Sequence, residues 1–370
     1  MKKLLFIVNI DWFFISHRLP IALASIKKGF EVHIACAITD KKELLEYYGI
    51  IVHPLELSRS GVGVINELKT LRKIYTIIKS VKPDIAHGIT IKPVLYGGIV
   101  ARLLKVPVRV SSISGLGYVF IAQGLKAKIL RFIVSVLYRS AMKNSKAIIF
   151  QNRSDSDILT KLGAVNAKQA VFIRGSGVDL TQYSATSEPV GDLVVMLVAR
   201  LLVDKGVMEF VEAAKIIRLQ RSDIRMVLVG DTDLYNPKSV SPVQIKKWVE
   251  KGIVEHWGYS HNVEKVIEKS NIMVLPSYRE GLPKVLIEAA ACGRAVVTTD
   301  VPGCRDAIEP NETGLLVDVK SAGSLVGGIL KLTNDSDLRH KFAKNARKLA
   351  ERAFNIDDVI SIHLSIYTKK

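Results

Sequence analysis

The sequence is short of cysteine, of long apolar runs and of acidic residues in its first half, and each shortage excludes something. Three cysteines in 370 residues, Cys36, Cys292 and Cys304, are too few and too scattered for a disulfide framework or a zinc site, which fits a reducing cytoplasm. A membrane helix needs about 18 consecutive apolar residues. Here Arg102 closes the run 95–101 and Arg131 interrupts 129–137. The opening Met1-Lys2-Lys3 followed by the apolar stretch 4–10 imitates a secretory leader, but Asp11 ends it with no small-residue cleavage site, so it reads as a first strand. Disorder is excluded, because 48% hydrophobic and 24% charged residues supply enough apolar surface to offset the ordering of the chain. The length predicts two domains.

Charge is plentiful but lopsided. The formal net charge is +18, and residues 1–185 carry 27 basic against 11 acidic side chains, a net of +16, leaving +2 for residues 186–370. A half so basic suits a polyanion, either nucleic acid or an anionic membrane surface, unless it is only a solvated basic face.

Apolar β-rich runs alternate with amphipathic helical segments throughout, the pattern of parallel sheets wrapped by helices. Strands are expected at 4–9, 31–37, 51–55, 84–88, 108–113, 147–150 and 170–173, with helices at about 17–28, 41–48, 64–81, 92–104, 120–143 and 153–163. The alternation starts again with strands at 193–199, 225–230, 253–257, 272–275 and 295–299. The expected class is α/β, two doubly wound Rossmann-like domains facing a cleft. Their expected bounds are 1–183 and 192–350, with the linker in 184–191 and a C-terminal helix in 351–370 returning to the first domain. Ligands of such sheets bind outside the carboxyl ends of the strands.

The strongest local signal there is Pro276 through Lys284, with Glu280, Gly281, Leu282 and Pro283 at its centre. Pro283 suits the first position of a helix that Gly293 stops, so amides around 281–284 would face a phosphate. Glu288, one turn beyond Lys284, can look back toward the helix start and accept two hydrogen bonds from a diol; the alternative is an ordinary surface pair with Lys284. Arg200 and Lys205 flank the turn before Gly206 and emerge at the same sheet edge, where two cations could neutralise a diphosphate. No metal-ligand cluster is visible, and no G-x-G-x-x-G follows a strand, which disfavours a dinucleotide oxidoreductase.

Taken together, Glu280-x7-Glu288, Val198-Ala199-Arg200 through Lys205-Gly206, and Val301-Pro302-Gly303 through Thr313-Gly314 resemble the donor domain of the retaining GT-B glycosyltransferases of the GT4 group. The N-terminal half is similar in Phe13 through Pro20 and in Ser114-Gly115-Leu116-Gly117-Tyr118 to bacterial members that extend polyprenyl-diphosphate-linked glycans. The resemblance implies a sugar moved from a UDP-sugar co-substrate, with no other cofactor, to a lipid-linked saccharide with retention. It implies that Arg200 and Lys205 hold the diphosphate, Glu280 the transferred sugar and Glu288 the ribose. It also implies that Trp257 or its neighbouring backbone meets uracil, although Trp257 fits a core position equally well. Asp11, His17, Ser114 and Gly115 fall on the acceptor side, but Ser114-Gly115 stands where many members have His-Gly, and the glycine-rich first loop is replaced by Asn9-Ile10-Asp11-Trp12-Phe13.

The basic half then has an economical reading. Between 119 and 150, Phe120, Leu125, Ile129 and Phe132 are interleaved with Lys126, Lys128, Arg131, Arg139 and Lys143. Such a helix can lie in a lipid interface with its cations toward headgroups, or else be a core helix with a basic side. The resulting expectation is a peripheral protein on the cytoplasmic face of the inner membrane that binds no nucleic acid. A nucleotide-sugar epimerase of the same fold and a non-enzymatic basic protein binding membrane or nucleic acid are the competing readings; no aromatic-basic or helix-turn-helix motif supports nucleic acid.

Overall fold

The computed structural model describes residues 1–57, 63–116, 124–233 and 236–369, apart from the side chains of residues 64 and 125–127. It divides into two units, Met1–Ser176 with Ile356–Lys370, and Gly177–Asn355.

The first unit is built on seven parallel strands: β1 Lys2–Ile10, β2 Phe30–Ala37, β3 Ile51–Pro54, β4 Ile85–Ile89, β5 Val108–Ile113, β6 Ala147–Phe150 and β7 Ala170–Phe172, in the order β3-β2-β1-β4-β5-β6-β7. Helices cover both faces, which is why the strands read as nearly unbroken apolar runs. They are α1 Asp11–Lys27, α2 Lys42–Tyr47, α3 Val64–Val81, α4 Gly98–Leu103, α5 Leu125–Met142 and α6 Arg153–Lys161. Helix α1 starts six residues earlier than its expected bound. Strand β1 runs directly into it through extended Ile10, and Asp11 sets an acidic side chain in the first turn, where the helix dipole favours it. The helix passes through Pro20 rather than ending there. The segment expected as one helix at 92–104 opens instead as a π-helical turn, Pro93–Gly97, before α4.

The second unit repeats the plan with β8 Leu193–Val198, β9 Ile224–Val229, β10 Glu255–His256, β11 Ile272–Leu275, β12 Ala295–Thr299 and β13 Gly314–Val317, all parallel, in the order β10-β9-β8-β11-β12-β13. Its helices are α7 Val207–Arg218, α8 Pro242–Glu250, α9 Val263–Ile267, α10 Lys284–Ala291, α11 Ala322–Asn334 and α12 Ser336–Ala353. Residues 184–191, polar and without apolar period, are part of this unit. The fully buried Arg294 donates to Thr186 O at 2.7 Å and Ser187 O at 3.2 Å. Glu188 takes Arg339 at 2.9 Å and Asn271 at 3.0 Å. The units divide at Ser176 and Gly177 instead.

The last helix, α13 Ile356–Thr368, packs against α1 in the first unit, and a buried polar cluster lies beneath it. His87 joins the Tyr367 hydroxyl through Nδ1 at 2.6 Å and the Ser112 hydroxyl through Nε2 at 2.7 Å. His363 donates from Nδ1 to Val359 O at 2.7 Å, and the buried Arg18 donates to His17 O at 2.9 Å. Burial lowers the pKa of His87 well below the ordinary histidine value, and that of His363 to about 3. Both are therefore neutral in the native state and titrate near 6.5 when unfolded. Because the native pKa is the lower one, the unfolded chain binds more protons as pH falls below 6.5, so this contribution to stability is complete above that pH and declines toward pH 3. Between pH 6.5 and 4.5 the wild type should lose about 2 kcal/mol more stability than His363→Leu, read by denaturant unfolding at each pH. Parallel pH profiles would refute the assignment.

Candidate functional site

In the second unit the strand order reverses between β8 and β11, the switch point at whose carboxyl edge sheets of this kind take ligands. Three glycines let the surrounding loops close backbone to backbone. At Gly206, φ +75°, a Cβ would stand 2.2 Å from Pro276 O; at Gly230, φ +128°, 1.9 Å from Ala199 O; at Gly303, φ +85°, 2.5 Å from Glu280 O. No side chain fits at these contacts, so the loop after β8, the loop after β11 and the turn after β12 hold one another in place.

On this frame Lys205, at the end of the 3-10 turn Val203–Lys205, forms an ion pair with Glu280. The Ser277 hydroxyl donates to the same Glu280 oxygen at 2.7 Å. Arg200 is half-exposed and pairs through Nη1 with Asp233 Oδ2 at 2.9 Å. The structure thus brings Lys205 and Glu280 together and gives Arg200 a carboxylate that sequence reasoning missed, 33 residues away on the loop after β9. Helix α10 starts at Lys284, with Pro283 as its extended N-cap at φ −69°, ψ 123°, one residue outside the helical position expected for it. Gly281, Leu282 and Pro283 are all buried, and no side chain caps the helix.

Glu288 is buried too, so its contact with Lys284 at 3.0 Å is no surface pair. It also accepts from the Tyr183 hydroxyl at 2.9 Å. Burial and the Glu288 charge both push the Tyr183 pKa upward and keep it a donor. Tyr183 lies 105 positions before Glu288, and no local pattern announced it. Trp257 packs half-buried against the core of this unit and donates Nε1–H to Glu255 at 2.9 Å, while Arg225 grips Glu255 at 2.7 and 2.8 Å. Its ring also lies about 6 Å from Arg225 and Lys269 cations, 6.0 and 5.9 Å to the centroid.

The acceptor-side candidates separate. Asp11 is fully buried and accepts from Trp12 N and Thr39 N, each at 2.7 Å, and from the Thr39 hydroxyl at 2.9 Å, tying the loop after β2 to the start of α1. His17 does not open its helix. It lies nearly two turns inside α1, stacked on Phe13 at 4.2 Å with Nδ1 3.2 Å from Phe13 O. Ser114 and Gly115 follow the end of β5, Gly115 at φ +111°. Gly117, Tyr118 and Phe120 lie outside the described residues, as do the side chains of Leu125 and Lys126. Along α5, Lys128 and Lys143 are exposed and Arg131 is half-buried, whereas Arg139 is engaged, donating to Leu162 O at 2.7 Å and Gly163 O at 3.2 Å. The apolar side of α5 is open: Phe132 is 72%, Ile129 55% and Ile133 49% exposed.

Among the described residues no group of three or more His, Cys, Asp or Glu side chains could hold a metal, and no helix is long and apolar enough to cross a membrane. Cys36, Cys292 and Cys304 are buried, and burial pushes each thiol up to about 12, far from thiolate chemistry.

Residues 3–152 match the family model "Glycosyl transferase 4-like", and residues 181–349 match "Glycosyl transferases group 1". The N,N'-diacetylbacillosaminyl-diphospho-undecaprenol alpha-1,3-N-acetylgalactosaminyltransferase of Campylobacter jejuni is 29% identical, over 95% of this chain and 94% of its own. The UDP-Gal:alpha-D-GlcNAc-diphosphoundecaprenol alpha-1,3-galactosyltransferase of Escherichia coli is 25% identical, over 84% and 82%. Among solved structures, Anabaena HepE in complex with UDP superposes with a TM-score of 0.80 at 16% identity, covering 100% of both chains.

The three tight glycines make a direct test of the frame. Gly258 also has a left-handed φ, +69°, but nothing lies within 4 Å of its would-be Cβ, so Gly258→Ala should cost only the backbone term of about 1–2 kcal/mol. Gly206→Ala adds a clash with the Pro276 carbonyl and should cost clearly more in denaturant unfolding. Equal losses would mean that the two loops do not meet as described.

Proposed function

Since the chain belongs to the GT4-type glycosyltransferases of GT-B fold, we propose that it moves a hexose or N-acetylhexosamine from a UDP-sugar to a polyprenyl-diphosphate-linked saccharide, retaining the anomeric configuration and using no metal. The observation that carries this reading is the Lys205–Glu280 pair at the switch point between β8 and β11, with Arg200 on the same edge. Departure of UDP leaves oxocarbenium character at the sugar and charge on the diphosphate. Arg200 and Lys205 stabilise that charge, the work a metal does elsewhere. Glu280 accepts hydroxyls of the transferred sugar and orients its anomeric carbon. Glu288, set by Tyr183 and Lys284, accepts the ribose hydroxyls. The acceptor hydroxyl enters from the face that UDP leaves. The names of the Campylobacter and E. coli relatives place their own acceptors on diphospho-undecaprenol, which supports the acceptor class.

The membrane supplies that acceptor, and the open side of α5 suits it. Phe132, Ile129 and Ile133 would enter the interface, while Lys128 and Lys143 meet anionic headgroups. Helix α4 packs against both α3 and α5, and α3 adds Ile65 and Leu68, 70% and 60% exposed, beside Lys69, Arg72 and Lys73. Both helices start at the carboxyl edge of the sheet, so the same edge is brought to the headgroups.

The test of the reaction offers a panel of UDP-sugars and undecaprenyl-diphospho-N-acetylglucosamine, in EDTA. Transfer should proceed, and Arg200→Ala and Lys205→Ala should each slow it by ~100-fold or more, the scale for losing one preorganised charge-stabilising group. Variants within a few-fold of wild type would place the diphosphate elsewhere. Membrane binding is separable: Phe132→Ser with Ile133→Ser should leave the fold intact and sharply reduce sedimentation with anionic vesicles. Unchanged sedimentation would remove α5 from the interface.

A further inference from the structure

We infer that Tyr183 is a positioning residue for the nucleotide: its hydroxyl keeps Glu288 aimed at the ribose diol when Lys284 is drawn to the diphosphate. This deepens the proposed function and rests on its assignment of the ribose to Glu288. The tyrosine is held by several contacts. Asp179 O accepts its amide at 2.9 Å, and Asp179 Oδ1 takes Thr181 N at 2.9 Å and Gln182 N at 3.2 Å, which closes the turn 179–183 on itself. Arg347, from α12, donates through Nη1 to Tyr183 O at 2.8 Å and to the carbonyl of Ala291, the last residue of α10, at 2.7 Å. The Tyr183 ring is buried in the core to which α10 also contributes. One guanidinium therefore ties the backbone of Tyr183 to the helix that carries Glu288, and the two side chains meet at 2.9 Å.

The two donors on Glu288 are unlike. The Tyr183 hydroxyl and the Lys284 ammonium both meet Oε1, at 2.9 and 3.0 Å, an arrangement that leaves Oε2 for a ligand. Lys284 opens α10, at a helix start that no side chain caps and where an anion is favoured. Its side chain is 25% exposed against 6% for Glu288, so it can turn toward an arriving diphosphate. With Lys284 as the sole partner, that turn would leave a buried carboxylate unpaired, at a cost that cancels much of the new ion pair. Tyr183 removes the conflict. Uncharged, it is not drawn to the phosphate, and burial together with the Glu288 charge raises its pKa, so the proton stays on the hydroxyl.

The other carboxylate of the site is held the same way. Glu280 Oε1 takes the Lys205 ammonium and the Ser277 hydroxyl, the latter at 2.7 Å. Each acid thus has one exchangeable cation and one fixed hydroxyl on a single oxygen. A hydroxyl already bonded to one oxygen constrains the carboxylate plane, so the orientation that meets the ligand is set before the ligand arrives. At Glu288 that ligand group is a diol, and Tyr183 becomes the residue through which the site separates a ribonucleotide from one without its hydroxyls.

The test measures, on the full chain and by calorimetry, Kd for UDP and for 2′,3′-dideoxy-UDP, which keeps the uracil and the diphosphate and lacks the ribose diol. The wild type should prefer UDP. Tyr183→Phe keeps the ring and its packing; it should weaken UDP by about tenfold, the scale of one hydrogen bond to a charged group, and the dideoxy nucleotide by less than about twofold. In a Glu288→Ala background the same substitution should change UDP affinity by less than about twofold. In transfer, Tyr183→Phe should raise the KM for the UDP-sugar and leave kcat within about twofold, because the ribose is bound alike in the ground and transition states. Equal weakening of both nucleotides, with or without a lowered melting temperature, would make Tyr183 structural and overturn the inference, as would an unchanged preference for UDP. A wild type that binds both nucleotides alike would take the ribose from Glu288 and defeat the parent reading as well, so the two failures are distinguishable.

Discussion

The second unit depends on backbone contacts too close for any side chain. Gly206 against Pro276, Gly230 against Ala199 and Gly303 against Glu280 bring the loops after β8, β9, β11 and β12 into one mutually braced set. Long side chains such as Lys205 and Glu280 hold a useful geometry only if their Cα atoms are fixed, and 75 residues separate these two in sequence. Close loop packing supplies that fixity without a helix or strand at the site itself. Tyr278 reinforces it, donating its hydroxyl to Glu209 at 2.7 Å while its amide meets Asp204 O at 3.0 Å, so the loop after β11 is also moored to α7 and to the turn before it.

One topology is used twice with opposite chemistry. Both sheets reverse strand order beside their first strand, and each therefore has a switch point at its carboxyl edge. In the second unit that edge carries Arg200, Lys205 and Glu280, charges already matched with carboxylate or cation partners. In the first it carries Asn9, Thr90 and Ser114, uncharged oxygens left without partners among the described residues. Part of the excess charge of the first half lies elsewhere, on α3 and α5 beside exposed apolar side chains. Fold alone does not assign function: two copies of one topology here carry charged side chains at one edge and uncharged ones at the other.

How much of this was legible in the sequence follows from the range of the forces involved. Strands β5, β6, β11 and β12 match their expected bounds because an apolar run between turn residues is a local signal. The expected start of α1 is late because residues 9–13 read as the loop after the first strand, and the contact that fixes the helix start, the Asp11 carboxylate held by Thr39 from another loop, exists only after folding. The stretch 184–191 looked like a linker by composition, yet the buried Arg294 and Arg339, more than 100 positions away, hold it in the second unit. Motif spacing names Arg200, Lys205, Glu280 and Glu288 as candidates but not their partners Asp233 and Tyr183, since nothing local marks a contact that exists only after folding.

The Lys205–Glu280 pair also limits what can bind there. Both side chains are largely buried, Glu280 more so at 13% side-chain exposure against 24% for Lys205, and each compensates the other's lost hydration. A ligand that is only an anion would draw Lys205 away and leave a buried carboxylate uncompensated, a cost that offsets much of the gain. A neutral sugar would hydrogen-bond Glu280 but leave the cations with nothing new. A ligand carrying an anion and hydroxyl donors in one molecule, at a fixed separation, replaces both halves of the pair at once. Under the proposed function the pair then discriminates by requiring two chemistries together, and a sugar joined to a diphosphate meets that requirement where free phosphate and free sugar do not.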